Sequence, residues 1–373
     1  MNGDVSKLLA DSVTGSAFTK TRYKIRPSLF KQLCQMSVDC YLQMRKKRWK
    51  NLLVLAIDGS TSCLPHSKEI ESHFGTYSVN KHGIKRYKAR MLMVYDVLND
   101  FVLSARLSKM CFGETRLTSE CIGELSGRLS RHIYVMDRNF DSFSLLKSIL
   151  LTDGQAKLCV RLSSRSGFYK RILADDRDDF ETVWDPSKTG QASCIVKGLD
   201  TKALHVRITK VTLSSGELEI LVSTLMEMDT YSAEDLSTLY DLRWGVEEGF
   251  KNLKPKMKLE HYGCKKSVGV YQEFLAHIFM MNLVSLHGMT AQSVIEKETS
   301  HRKFSYTYNW KNGYRFLRGS IVRLLSESRK IGSLVEKAIR CFQSSLVSIR
   351  PGRNFVRDLR WSQIKTRITH YNK

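Results

Sequence analysis

Three carboxylates and one helix edge carry the chemistry that can be read from this sequence. Asp58 ends the apolar run of LLVLAIDGST, and Asp137 ends that of HIYVMDRNF. Each is the first carboxylate after a stretch of β formers, the pattern of a strand buried on both faces, so each is expected at the end of a central strand. If the two strands are neighbours, the carboxylates lie side by side, where like charges raise each other's proton affinity unless cations neutralise them. Magnesium, a hard ion that prefers carboxylate oxygen, meets that need. Taken singly, either aspartate reads better as the start of a turn.

The third carboxylate lies in YDLRWGVEEGFKNLK, residues 240–254. On a helical wheel with Tyr240 at zero, Arg243 falls at roughly 300°, Glu247 at 340° and Lys254 at 320°. These four form one stripe. Leu242, Val246, Phe250 and Leu253 cluster beside it and mark the buried face. Glu247 therefore borders the core, whereas Glu248 points to water. Alone, Glu247 reads as a surface partner of Lys251 one turn on. The combination of tyrosine, arginine, glutamate and lysine on one stripe, following two strand-end aspartates, weighs against that reading.

These residues need a sheet and a helix to position them. Residues 1–50 read as a short helical basic region ending in MRKKRWKN, which suits either phosphate contact or a solvated helix end. MLMVYDVLND and FVLSARLS form a hairpin around Asn99 and Asp100, giving three adjacent strands with the Asp58 strand. RLTSECIGELSGRLS and SFSLLKSILLTDG have helical spacing, and AKLCVRLS reads as a strand. Residues 166–230 turn to β alternation. A helix is predicted from Ala233, capped by Ser232, to about Lys254, because Pro255 disfavours helix before it. A later apolar stretch, FLAHIFMMNLVSLHGM, is short for a bilayer span and reads as a buried helix. The expected fold is α/β: a mixed-sheet core over 51–165 and 231–295, a β-rich insertion at 166–230, and a basic C-terminal region at 296–373.

Sixty lysines and arginines against 37 aspartates and glutamates give a net charge of +23, which points to a polyanionic partner. Nine cysteines without a C-x-x-C pair suit a reducing compartment. With no signal-peptide pattern at the start, a soluble intracellular protein with no membrane partner is expected.

The set Tyr240, Arg243, Glu247 and Lys254 resembles the Y-(2)-R-(3)-E-(6)-K signature of the insertion-sequence-four family of bacterial DDE transposases. AIDGST around Asp58 and VMDRNF around Asp137 resemble that family's two aspartate segments, and IRPGRNF resembles its tail. The β-rich stretch before Glu247 matches the insertion these enzymes carry. The resemblance covers most of the chain from about residue 16. It departs in one place: only about 50 residues precede the first strand, fewer than relatives use to bind their terminal repeats.

The resemblance implies a ribonuclease H-like core in which Asp58, Asp137 and Glu247 are catalytic and hold two Mg2+ ions, with Mn2+ as a substitute. It implies cut-and-paste transposition, in which element ends are cut and the freed 3′ hydroxyls attack the opposite strand or target DNA. Tyr240, Arg243 and Lys254 would contact DNA near the cut. Trp244 would touch DNA or pack beside the site, and Trp184 or Phe180 would supply a stacking aromatic. The implied partners are double-stranded DNA, namely transposon ends with inverted repeats and target DNA, and a second copy of the chain in the complex. The implied location is the nucleoid-associated cytoplasm. Two other readings stay open: a nuclease without joining activity, and a degenerate transposase that regulates by binding DNA. Asp96 and Asp141 are the carboxylates that would displace one of the three if the assignment is wrong.

Overall fold

The computed structural model describes residues 14–213, 215–326 and 331–350. One eight-stranded sheet organises them, built from β1 (Leu53–Cys63), β2 (Lys88–Asp96), β3 (Phe101–Lys109), β4 (His132–Met136), β5 (Ala156–Arg161), β6 (Asp179–Trp184), β7 (Leu204–Thr212) and β8 (Leu218–Ser223). The strand order is β3-β2-β1-β4-β5-β8-β7-β6. β1, β4 and β5 run parallel, while β2 is antiparallel to both its neighbours. The first five strands thus have the 3-2-1-4-5 arrangement of a ribonuclease H-like core, and the mixed α/β class expected from the sequence holds. The β-rich stretch joins this same sheet, because β8 pairs with β5 through Val222 and Val160.

β1 explains why the sheet is buried on both sides. Leu53, Leu55 and Ile57 face α4 (Glu114–Leu125) and α5 (Phe143–Thr152), whereas Val54 and Ala56 face the opposite layer. In that layer Leu236, Leu239 and Tyr240 of α8 (Ala233–Leu242) cover Val54, Ile133 and Val135. The apolar stretch expected as a buried helix lies within a 33-residue helix, Ser267–Thr299, long and apolar enough to cross a membrane by length and composition. Here Val270, Phe274, Ile278 and Met281 are buried in one core with Met91, Met93 and Tyr95 of β2. Burying these side chains against the sheet stabilises the layer by roughly 2 kcal/mol each.

The N-terminal basic cluster belongs to a helix end. Lys46 donates to the carbonyls of Tyr41, Leu42 and Met44 beyond the helix Pro27–Gln43, and Arg48 donates to those of Asn51 and Arg131.

The single helix expected over Ala233–Lys254 is three pieces. Its start is as predicted: Ser232 Oγ accepts from Asp235 N at 3.1 Å, and the Asp235 carboxylate accepts from Ser232 N at 2.8 Å. α8 stops at Leu242, and α9 spans Gly245–Lys251. Between them the amides of Arg243, Trp244, Val246 and Glu247 bond three residues back, which tightens the turn. Pro255 does not end the helix as expected. It sits in a π turn, Asn252–Lys256, closed by Met257 N to Asn252 O at 2.9 Å. The wider turn gives the proline ring room that an α-helical carbonyl four residues back would deny it.

Two glycines decide how close α9 comes to the sheet. A Cβ on Gly245 would lie 2.9 Å from Val97 Cβ, and one on Gly249 would lie 3.1 Å from the Tyr95 ring. A side chain at either position would crowd its neighbour, at Gly245 the more severely, so the helix backbone lies close against the sheet. Gly245→Ala should therefore cost about 1–2 kcal/mol, since overpacking outweighs the small propensity gain at a first helical residue. The midpoint of urea unfolding measures it, and an unchanged midpoint would contradict this close approach.

Candidate active site

The register of β1 and β4 sets the site. Their last paired residues are Ile57 and Met136, so Asp58 and Asp137 follow in step on adjacent parallel strands. Asp137 stands at a strand end as expected. Asp58 does not, because β1 continues to Cys63 on its pairing with β2. What ends at Asp58 is the parallel partner, not the strand.

Both aspartates also serve local structure, as the turn reading anticipated. Asp58 Oδ1 accepts from Gly59 N at 2.8 Å. The Asp137 carboxylate accepts from the Asn139 backbone at 2.8 Å and side-chain amide at 3.0 Å, capping a short 3-10 turn. Neither makes an ion pair among the described residues. Burial pushes the Asp58 carboxyl up to about 6, with Asp137 and Glu114 adding to the rise and Arg243 opposing it. Glu114 is a neighbour that no local pattern marks. It lies so close to Gly59 that a Cβ there would meet its carboxyl at 2.5 Å, and Arg90 Nη1 holds it at 3.0 Å.

The two rival carboxylates have other work. Asp96 is fully buried and accepts from the Tyr41 hydroxyl and the Asn99 side chain, inside the core. Asp141 accepts from Ser163 N at 2.7 Å, and burial, reinforced by Asp137, raises it to about 6. Asp141 therefore borders the site on the Asp137 side.

The helix edge divides by burial. Glu247 is half-buried, while Glu248 is exposed and pairs with Lys251. The lysine that one-turn spacing would give to Glu247 thus goes to its neighbour. Tyr240 is 3% exposed, in the core beneath α8. Arg243 is 6% exposed, with its guanidinium 5.3 Å from the Tyr240 ring and 4.3 Å from that of Trp244. Its Nε is buried without a hydrogen-bond partner. Lys254 is half-buried, and its Nζ donates to Ser60 Oγ at 2.7 Å. Trp244 is 54% exposed, whereas Trp184 and Phe180 are each 4% exposed in the core, where Trp184 stacks on Phe168. Of these three aromatics, Trp244 is the one a base could reach.

Asp58, Asp137 and Arg243 are thus brought together electrostatically, and α9 carries Glu247 over the same face of the sheet. Among the described residues no three His, Cys, Asp or Glu side chains stand close enough to hold a metal ion. The donor chemistry nevertheless fits a hard divalent cation: adjacent, unpaired carboxylates, one of them resisting ionisation beside its neighbour.

A family model described as "transposase DDE domain" matches residues 49–283. No curated protein matches the chain. Among solved structures, the cryo-EM structure of a piggyBac transposase synaptic complex with hairpin DNA aligns with a TM-score of 0.43 and 13% identity. The alignment covers 84% of this chain and 62% of that one, so the chain spans less than two thirds of that relative's length.

A carboxyl whose folded pKa is raised binds its proton more tightly when folded. Stability therefore falls as pH rises from the unfolded value near 4 to about 6, and the full cost is present above that. Asp58→Asn should stabilise the metal-free protein by about 1–2 kcal/mol at pH 7.5 and by little at pH 4. Millimolar Mg2+ should raise the melting temperature of the wild type but not of the variant. Paired urea and thermal melts decide both points.

Proposed function

The chain belongs to the transposase DDE domain family, and on that premise we propose that it is a DNA transposase that cuts element ends and joins the freed 3′ hydroxyls to target DNA. The register that sets Asp58 and Asp137 side by side carries this reading. Glu247, on a helix held close to the sheet by Gly245 and Gly249, is the third carboxylate of the set. The spacing of Tyr240, Arg243, Glu247 and Lys254 supports placing the chain with the insertion-sequence-four group of bacterial elements.

Asp58, Asp137 and Glu247 would hold the metal ions. When bound, a pair of divalent ions, Mg2+ or Mn2+, supplies Lewis acidity at the attacking and leaving oxygens of an in-line displacement at phosphorus. The remaining groups position DNA. Arg243 carries a planar fork of donors, the geometry that grips a phosphate. The buried Tyr240 ring lies under that guanidinium and fixes its direction, a supporting part more than a direct contact. Lys254 is a point charge that can exchange Ser60 Oγ for a phosphate oxygen. Trp244, exposed beside Arg243, offers a face for an unstacked base. Water is the first nucleophile and the 3′ hydroxyl the second. The proposed partners are double-stranded DNA, as element ends and as target, and a second copy of the chain.

The two adjacent glutamates test this reading. Glu247→Gln should lower Mg2+-dependent nicking of supercoiled DNA by roughly a thousandfold, about 4 kcal/mol of transition-state stabilisation, with DNA binding retained. Glu248→Gln should change nicking by less than about twofold, as expected for one exposed ion pair. Equal losses in both variants would refute the assignment of Glu247.

A further inference from the structure

Beyond Asp58, β1 is paired on one side only. β2 accompanies it to Cys63, but β4 has ended, so residues 58–63 present a free strand flank. Leu53 N bonds Arg131 O on the β4 side, while Leu64 N bonds Tyr87 O on the β2 side. Alternation then turns the amides of Gly59, Thr61 and Cys63 to the free flank. Such edges are normally covered. Here carboxylates meet two of these amides: Gly59 N donates to Asp58 Oδ1 at 2.8 Å, and Cys63 N donates to Glu260 Oε1 at 2.9 Å.

The first contact belongs to the site already described. The second lies about 13 Å further along the strand, four residues on at roughly 3.3 Å each. Glu260 stands there among cations. Lys254, bonded to Ser60, feels the attraction of Glu260 and the repulsion of Lys88. Lys88 is the register partner of Cys63, with its Nζ 4.3 Å from the Tyr77 ring. An anion on a backbone amide in the field of two lysines is the chemistry of a phosphate seat, and here the chain supplies its own anion.

We propose that this flank seats one backbone phosphate of the DNA strand leading away from the carboxylates, and that Glu260 is the placeholder it displaces. The inference rests on the DNA-cutting reading for its ligand and adds to it a second contact along β1. The Cys63 amide and Lys88 hold the phosphate, with the charge of Lys254 adding to the field from Ser60, while Glu260 keeps the edge covered when DNA is absent. The displaced carboxylate opposes binding, so the seat favours a ligand anchored elsewhere over a free anion.

The test uses the full chain, a 20-base-pair duplex and EDTA, so that no strand cutting is needed. Cys63, Cys40 and Cys111 are all exposed, which lets iodoacetamide report on each by mass spectrometry. Saturating duplex should slow alkylation of Cys63 at least about fivefold and leave Cys40 and Cys111 unchanged. Glu260→Gln, whose amide oxygen still accepts from Cys63 N, should tighten binding several-fold, and the exposed-acid control Glu234→Gln should not. Lys88→Ala should reduce the slope of log affinity against log salt by about 0.9. Unprotected Cys63 with duplex bound would overturn the seat, as would equal tightening by Glu260→Gln and Glu234→Gln. Protection of Cys63 by inorganic phosphate alone would overturn the DNA strand as its ligand. A wild type that binds and protects but never nicks in Mg2+ would refute the proposed function and leave the seat standing.

Discussion

Asp58 and Asp137 each follow the last paired residue of two adjacent parallel strands, so backbone pairing alone holds two carboxylates side by side, where their like charges repel. That repulsion is the constraint on which the rest depends. It is tolerable because the strands beneath are buried on both faces and cannot slide: a one-residue slip of β1 would drive Leu55 and Ile57 out of one core and Asp58 into it. The apolar layers thus supply the energy that keeps the charges together. Arg243, reaching over from the tight turn before α9, offsets part of the cost.

The same logic explains the broken helix. A straight α-helix from Ala233 to Lys254 would bury its apolar face, but α9 must also lie close over Tyr95 and Val97. Glycines at 245 and 249 remove the side chains that would prevent this. The tight turn at Arg243 and the π turn at Pro255 adjust the path at either end. Close approach and irregular turns are two parts of one solution.

The charge excess is distributed unevenly. Several other cations are neutralised locally: Arg22 by Glu273, Arg106 by Glu124, Arg161 by Glu219, and fully buried Arg207 by Asp179. Arg243 and Lys254, on the helix edge, make no ion pair among the described residues and rest on an aromatic face and a hydroxyl. Positive charge left uncommitted beside a pair of acids is the distribution expected where a polyanion must be held near a metal.

Strand and helix content was legible because apolar periodicity reports burial directly. The runs ending at Asp58 and Asp137, the hairpin at Asn99 and Asp100, and the Ser232 cap all follow from local pattern. So does the difference between Glu247 and Glu248, because it depends on angular position within about a turn of one helix. What the sequence could not determine depends on contacts between distant segments. That β1 runs on past Asp58 depends on β2, and the closeness of Glu114 to Asp58 depends on how α4 crosses the sheet. The burial of Tyr240, Trp184 and Phe180 depends on which layer covers them. A wheel assigns a direction to a side chain, but only packing decides whether water, protein or a partner lies in that direction.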